Sequence, residues 1–175
     1  MAYTYSKLAS VTIGSGGSSS IDFIAIPQNY TDLLLKTSLR STLVDTEDWV
    51  SLQFNNSSVT AYSLRILYGN GTSALSLSTS SAADIQYSSV AVATNSTAST
   101  FSNAEYYIPN YAGSNNKSIS IDGVSEANAT KAFTTLNASL WANASPITSI
   151  KLFCDTTGNF AQYSTATLYG IKAEV

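Results

Sequence analysis

Apolar and polar side chains alternate along this chain with a period of two, and turn residues interrupt the pattern roughly every 8–12 positions. Successive side chains of a strand project to opposite faces, whereas a helix needs a repeat of 3.6. Ala9-Ser10-Val11-Thr12-Ile13 alternates until Gly14-Ser15-Gly16-Gly17 breaks it. An extended run over residues 21–26 stops at Pro27. Over residues 31–40, Leu33, Leu35 and Leu39 share one face and Lys36, Ser38 and Arg40 the other. Leu34 falls on that polar face, which predicts a strand buried on one side and partly covered on the other. Val50, Leu52 and Phe54 alternate with Trp49, Ser51 and Gln53 before Asn55-Asn56-Ser57-Ser58 closes the run.

The rest of the chain reads the same way. Leu64-Arg65-Ile66-Leu67-Tyr68 is followed by Gly69-Asn70-Gly71, and Asn-Gly is a hairpin signal because both residues tolerate positive φ. Residues 72–98 are rich in Ser, Thr and Ala, and residues 80–85 are expected to hold a helical turn. Ala104-Glu105-Tyr106-Tyr107-Ile108 ends at Pro109, and Ser118-Ile119-Ser120-Ile121 meets the turn pair Asp122-Gly123. Leu136, Ala138 and Leu140 share a face, Trp141 falls on the opposite one, and residues 147–154 and 166–172 form the last strands. About nine to eleven short strands with no amphipathic helix between them predict one antiparallel all-β domain over residues 1–175, a β-sandwich of jelly-roll type. Leu33, Leu35, Val50, Leu52, Phe54, Ile66, Ile119, Ile121, Ile150, Leu152 and Leu168 are its expected core.

Several chemistries are excluded by what the chain lacks. It has no histidine, so a Ser-His-Asp triad, a Cys-His nucleophile and the usual zinc sites are out of reach. The one cysteine, Cys154, has no internal partner and reads as a buried strand residue. Gly14-Ser15-Gly16-Gly17 lacks the lysine and following helix of a phosphate loop. Lysines and arginines are scattered singly in a chain of net charge −3, against nucleic-acid binding. No signal-peptide stretch or transmembrane run is present, so the expectation is a soluble protein made in a cytosol with no membrane association. Asn-x-Ser/Thr sequences such as Asn95-Ser96-Thr97 are what an Asn/Ser/Thr-rich composition produces by chance.

Two groups of residues remain as candidates for a site. Asp45, Glu47 and Asp48 form the one acidic cluster, beside Trp49, and a carboxylate pair is all a glycosidase needs. A calcium site that added Asp122, Glu126 or Asp155 would use oxygen ligands, but the loop spacing of a calcium motif is absent. A solvated loop entering a strand accounts for the cluster better, so neither a catalytic residue, a metal nor a cofactor is expected. The second group is aromatic. Trp49, Tyr106, Tyr107 and Trp141 could anchor an interface or stack on sugar rings. Tyr106-Tyr107 sends one ring to each face of its sheet. Only 11% of residues are charged, and Ser, Thr and Asn supply the polar surface. Such a surface packs against neighbours with little desolvation cost, which predicts a homo-oligomer, a dimer or trimer.

Three segments carry a resemblance. Ile26-Pro27-Gln28-Asn29-Tyr30-Thr31-Asp32-Leu33-Leu34-Leu35-Lys36, Ala104-Glu105-Tyr106-Tyr107-Ile108-Pro109-Asn110-Tyr111-Ala112-Gly113 and residues 158–171 (Gly158-Asn159-Phe160-Ala161-Gln162-Tyr163 at their start) are similar to a family of small structural proteins. These occur in the virions of tailed bacteriophages, especially phages of marine bacteria and cyanobacteria. The resemblance spans most of the chain, including Lys7-Leu8-Ala9-Ser10-Val11. It implies a virion component made in the host cytoplasm, whose partners are the major capsid protein or tail proteins. A capsid decoration (cement) protein or accessory shell or tail subunit is the expected role. The alternative is a tail-fibre or spike domain that binds host-surface carbohydrate.

Overall fold

A computed structural model describes residues 3–173. Twelve strands are connected only by turns and loops, with no helix among the described residues. They are β1 (Tyr3–Thr12), β2 (Ser20–Phe23), β3 (Asp32–Leu39), β4 (Glu47–Phe54), β5 (Tyr62–Gly69) and β6 (Ala74–Ala82). There follow β7 (Ile85–Val92), β8 (Ser102–Ile108), β9 (Lys117–Ala127), β10 (Lys131–Trp141), β11 (Ile150–Cys154) and β12 (Thr165–Ala173). Eight of them form one sheet in the order β1-β12-β3-β8-β9-β10-β5-β6, and four form a second, β2-β11-β4-β7. Neighbouring strands within each sheet run antiparallel. The fold class is therefore the all-β sandwich that the period of two predicts.

The topology is a jelly roll with additions. Without the β9–β10 hairpin and the β1–β12 pair, the sheets become β3-β8-β5-β6 and β2-β11-β4-β7, the two four-stranded layers of that fold. The hairpin is inserted between β8 and β5, so it displaces β5 and β6 sideways by two strand widths, about 10 Å. The four-stranded sheet cannot follow. Its edge strand β7 lies against β8, β9, β10 and β5, and β6 is left beyond its reach. As a result β6 is exposed along nearly its whole length, on both faces.

Between the sheets lies one apolar core. All eleven residues expected there are buried, in the register the alternation requires: Leu52 lies opposite Leu152, and Leu168 opposite Leu35. Leu34, on the outer face of β3, is also buried. Cys154 is buried and unpaired. Tyr62 plugs one end of the core: its hydroxyl donates to the carbonyl of Phe54 (3.2 Å) and accepts from that residue's N–H (3.0 Å). Burial pushes its ionisation up to about 12.

β10 faces inward with the side chains that look less apolar. Phe133, Thr135, Asn137, Ser139 and Trp141 are buried, whereas Leu136 and Leu140 are 59% and 37% exposed. Magnitudes decide this. A tryptophan or phenylalanine side chain buries about 150–250 Å², more area than a leucine, and burial stabilises in proportion to area at about 25 cal/mol/Å². Two rings at the ends of the strand outweigh two leucines, and the short polar residues between them fit beneath β7. Asn137 Nδ2 donates to the Tyr87 carbonyl (3.1 Å), and Ser139 Oγ donates to Asn137 Oδ1 (2.6 Å).

The turns follow the sequence in part. Asn70-Gly71 does join β5 to β6, through a loop over residues 70–73 in which Gly71 takes φ +80° and Asn70 Oδ1 accepts from the N–H groups of Thr72 and Ser73. Asp122-Gly123 is not a turn: both lie inside β9. A Cβ on Gly123 would come within 3.0 Å of Thr135 Oγ1 and 3.2 Å of Ala104 Cβ, so the glycine serves close packing within the strand. The β9–β10 turn lies at Asn128 and Ala129, both at positive φ. Residues 80–85 hold no helical turn, because they end β6 and begin β7.

Candidate functional site

The four aromatic side chains singled out in the sequence fall into different environments. Trp141 and Tyr106 are buried, so neither can stack on a sugar or anchor a partner. Trp141 is the inward anchor of β10, stacked on Tyr62 (centroids 6.0 Å apart) and close to Phe54 (5.5 Å). Tyr106 points into the core, where its hydroxyl donates to Ser89 Oγ at 2.7 Å, and burial raises its ionisation. Tyr107 projects outward from the next position, its hydroxyl donating to Asp32 Oδ2 (2.8 Å). The pair thus sends one ring to each face, as the alternation requires.

Trp49 is half-buried and has company that the sequence did not reveal. Tyr87, Phe133 and Tyr68 meet its ring at centroid distances of 5.2, 5.4 and 5.6 Å, each at 82–90°. Tyr68 and Phe133 stack on each other at 5.7 Å. This cluster joins β4 and β7 of the small sheet to β5 and β10 of the large one. A bulge in the β4–β7 ladder between Val50 and Leu52, with Tyr87 at φ +53°, brings the fourth ring in.

The acidic residues do not converge. Asp48 is buried and accepts from Ser41 Oγ (2.6 Å) and Thr156 Oγ1 (2.9 Å), with Gly158 packed against it. Asp45 caps Thr46 N–H, and Glu47 accepts from the Thr46 hydroxyl. Glu126, on β9, ties down the 97–100 loop and the Ala129 N–H, and these bonds hold its carboxyl below the usual range. Among the described residues no group of three or more His, Cys, Asp or Glu side chains could hold a metal.

A carboxylate pair does exist, at Asp84 and Asp155. Both accept from Ser51 Oγ, Asp84 at 3.3 Å and Asp155 at closer range. Burial raises both ionisations. The charge of Asp155 adds to the effect on Asp84, and that of Asp48 adds to the effect on Asp155, while the Ser51 bond opposes both. A carboxyl that binds its proton more tightly when folded weakens the fold once ionised; the penalty is complete above the folded pKa and gone below the unfolded value, about 3.9. Asp84→Asn is therefore expected to raise the urea midpoint at pH 7 and to leave it unchanged at pH 3. Equal shifts at the two pH values would show that charge is not the cause.

An exposed apolar surface lies on the outer face of the large sheet. Leu67 and Leu136, directly opposite one another on β5 and β10, are 60% and 59% exposed. They line a shallow groove of about 660 Å³, completed by Arg65, Ser76, Ser78, Ser120 and Ala138. A neighbouring depression of about 460 Å³ extends it over Gly69 and Ala74. Arg65, the one charged residue in this lining, donates to the carbonyls of Leu64 and Thr79. The groove has neither a nucleophile nor an acid–base pair. Its chemistry suits a neutral, partly apolar surface. The signal for it was present in the phase of Leu136 and Leu140 against Trp141.

No protein-family model and no curated protein matches this chain. Among solved structures, a fructofuranosidase from Schwanniomyces occidentalis in complex with fructosylnystose is weakly similar: TM-score 0.26 at 9% identity, covering 98% of this chain and 33% of that one. The chain thus spans a third of that enzyme's length. The CBM2 module of the evolved Dit protein of Lactobacillus casei BL23 phage J-1 is similar at a TM-score of 0.21 and 9% identity, over 89% of this chain and 70% of that one. Both TM-scores are too low to speak for a common fold or function.

Proposed function

We propose that this protein is a structural subunit of a tailed-phage virion, a capsid decoration protein or an accessory shell or tail subunit, and that it acts by protein–protein assembly without a catalytic step. The observation that carries the reading is the uncovered leucine surface on the outer face of β5 and β10, rimmed by neutral serines of β6 and β9. A surface of this kind is suited to burial against another protein, with few charges to desolvate. The three segments that resemble phage structural proteins also come together in space, as the adjacent strands β12, β3 and β8 with their flanking loops. A second reading, recognition of host-surface carbohydrate, draws on the half-exposed Trp49, Tyr68 and Tyr87.

Particles assembled without this protein separate the two. Decoration predicts particles that lose infectivity on heating or osmotic shock yet adsorb to host cells at the normal rate. Robust particles that no longer adsorb would overturn it in favour of carbohydrate recognition.

A further inference from the structure

Four strands border the two sheets, and three of them are protected. β1 carries Lys7 and a bulge between Lys7 and Ala9, β2 has only four residues and includes Asp22, and β7 is buried against the large sheet. β6 has neither the charge nor the cover of the others, and its one bulge, at Ser81, lies at its C-terminal end. It is nine residues long, and residues 72–83 contain neither a charged side chain nor a proline. A long, neutral, exposed edge presents a row of unpaired N–H and C=O groups and is a template for another strand. We propose that this edge is covered by β6 of a second copy, paired antiparallel about a two-fold axis perpendicular to the sheet, so that the two large sheets become one.

Three features select a second copy as the occupant. The first is charge: β6 offers nothing for an acidic or basic partner to recognise, and a copy of itself brings no repulsion. The nearest cation, Arg65, is held within each copy by the carbonyls of Leu64 and Thr79, so its charge is already met by backbone oxygens. The second is parity. Residues opposite one another in an antiparallel ladder share a face, so the inner-face Leu75 and Leu77 of one copy meet those of the other, and Ser76, Ser78 and Ser80 line up outside. Leu75 and Leu77 are 41% and 40% exposed, so this contact has apolar area to bury. The third is room. The β9–β10 insertion has carried β6 clear of the small sheet, and no layer of the same chain obstructs a partner's inner face.

The proposal deepens the assembly reading by naming a contact, and its test needs only the purified protein. Sedimentation velocity is expected to show a reversible monomer–dimer equilibrium that Leu77→Lys weakens at least tenfold, with the thermal midpoint unchanged. A scan of single cysteine substitutions from Leu75 to Ser81 locates the axis. Disulfides require Cα atoms about 4.4–6.8 Å apart, which in this geometry only a residue facing its own mate satisfies. One position should therefore cross-link at least tenfold faster than Thr12→Cys on β1. The native thiol does not compete, because Cys154 is buried and its ionisation is pushed up by burial and by Asp48. A protein that stays monomeric at all concentrations, or that dimerises without a cross-linking maximum on β6, would overturn the pairing. Such a protein could still stabilise particles, so the assembly reading would fall only to the particle experiment.

Discussion

Trp141→Ala is expected to cost about 3–5 kcal/mol of stability, among the largest effects of any single truncation in this chain. The ring fills the end of the core against Tyr62 and Phe54, and the Tyr62 hydroxyl in turn bridges the Phe54 backbone. Removing it leaves a cavity bounded by two sheets that cannot close together without disturbing that bridge. Urea unfolding followed by the fluorescence of the remaining tryptophan, Trp49, measures the loss. Trp141→Phe should recover more than half of it, because the indole Nε1 has no hydrogen-bond partner among the described residues and its removal sacrifices no bond. A midpoint unchanged by the alanine variant would place Trp141 on the surface and return it to the candidates for recognition.

Leu52→Ala should cost about 2–5 kcal/mol, and Leu152→Ala a similar amount. The two lie opposite each other on β4 and β11 and are fully buried. Because they bound one space, the double variant should lose less than the sum of the singles. Leu67→Ala is the control: the side chain is 60% exposed, and a surface truncation of this kind changes stability by about 0.5 kcal/mol or less. If Leu52→Ala and Leu67→Ala unfold at the same denaturant concentration, the register of β4 is wrong.

Local rules made most of the sandwich legible. The alternation of Leu33 and Leu35, of Val50, Leu52 and Phe54, and of Ile119 and Ile121 names both the strands and their inward faces. Where the reading went astray, a residue far away in the chain had the deciding role. Gly123 looks like half of a turn until Thr135 and Ala104 are placed beside it. The true turn uses Ala129 at φ +53°, a residue that gives no turn signal. In β10 the two faces are plain, but which one is buried depends on the neighbours: Tyr62, Leu64 and Ile66 on β5 pair with Trp141, Ser139 and Asn137. Leu64 and Ile66 face the small Ser139 and Asn137, whereas at the end of the ladder the Tyr62 and Trp141 rings stack. β6 read as low-complexity sequence for a related reason: neither of its faces is covered, so no apolar period is imposed on it.

The candidate sites were legible to a lesser degree. Trp49 was identified, but the rings around it come from β5, β7 and β10. The Asp84–Asp155 pair spans two loops joined through Ser51, a relation that no spacing in the sequence announces.

The position of β12 has a consequence for how the molecule is made. This strand, last of the twelve to leave the ribosome, lies between β1 and β3, which are among the first. Until it arrives, the two early strands cannot join the same sheet, and the ribosome-bound chain must hold them apart without letting them pair elsewhere. Contacts so distant along the chain carry a large loop-closure cost before they return any stability, so folding is expected to be slow. Once β12 slots in, it joins β1 to β3 at one edge of the large sheet, and β12 itself cannot leave without breaking its ladders on both sides.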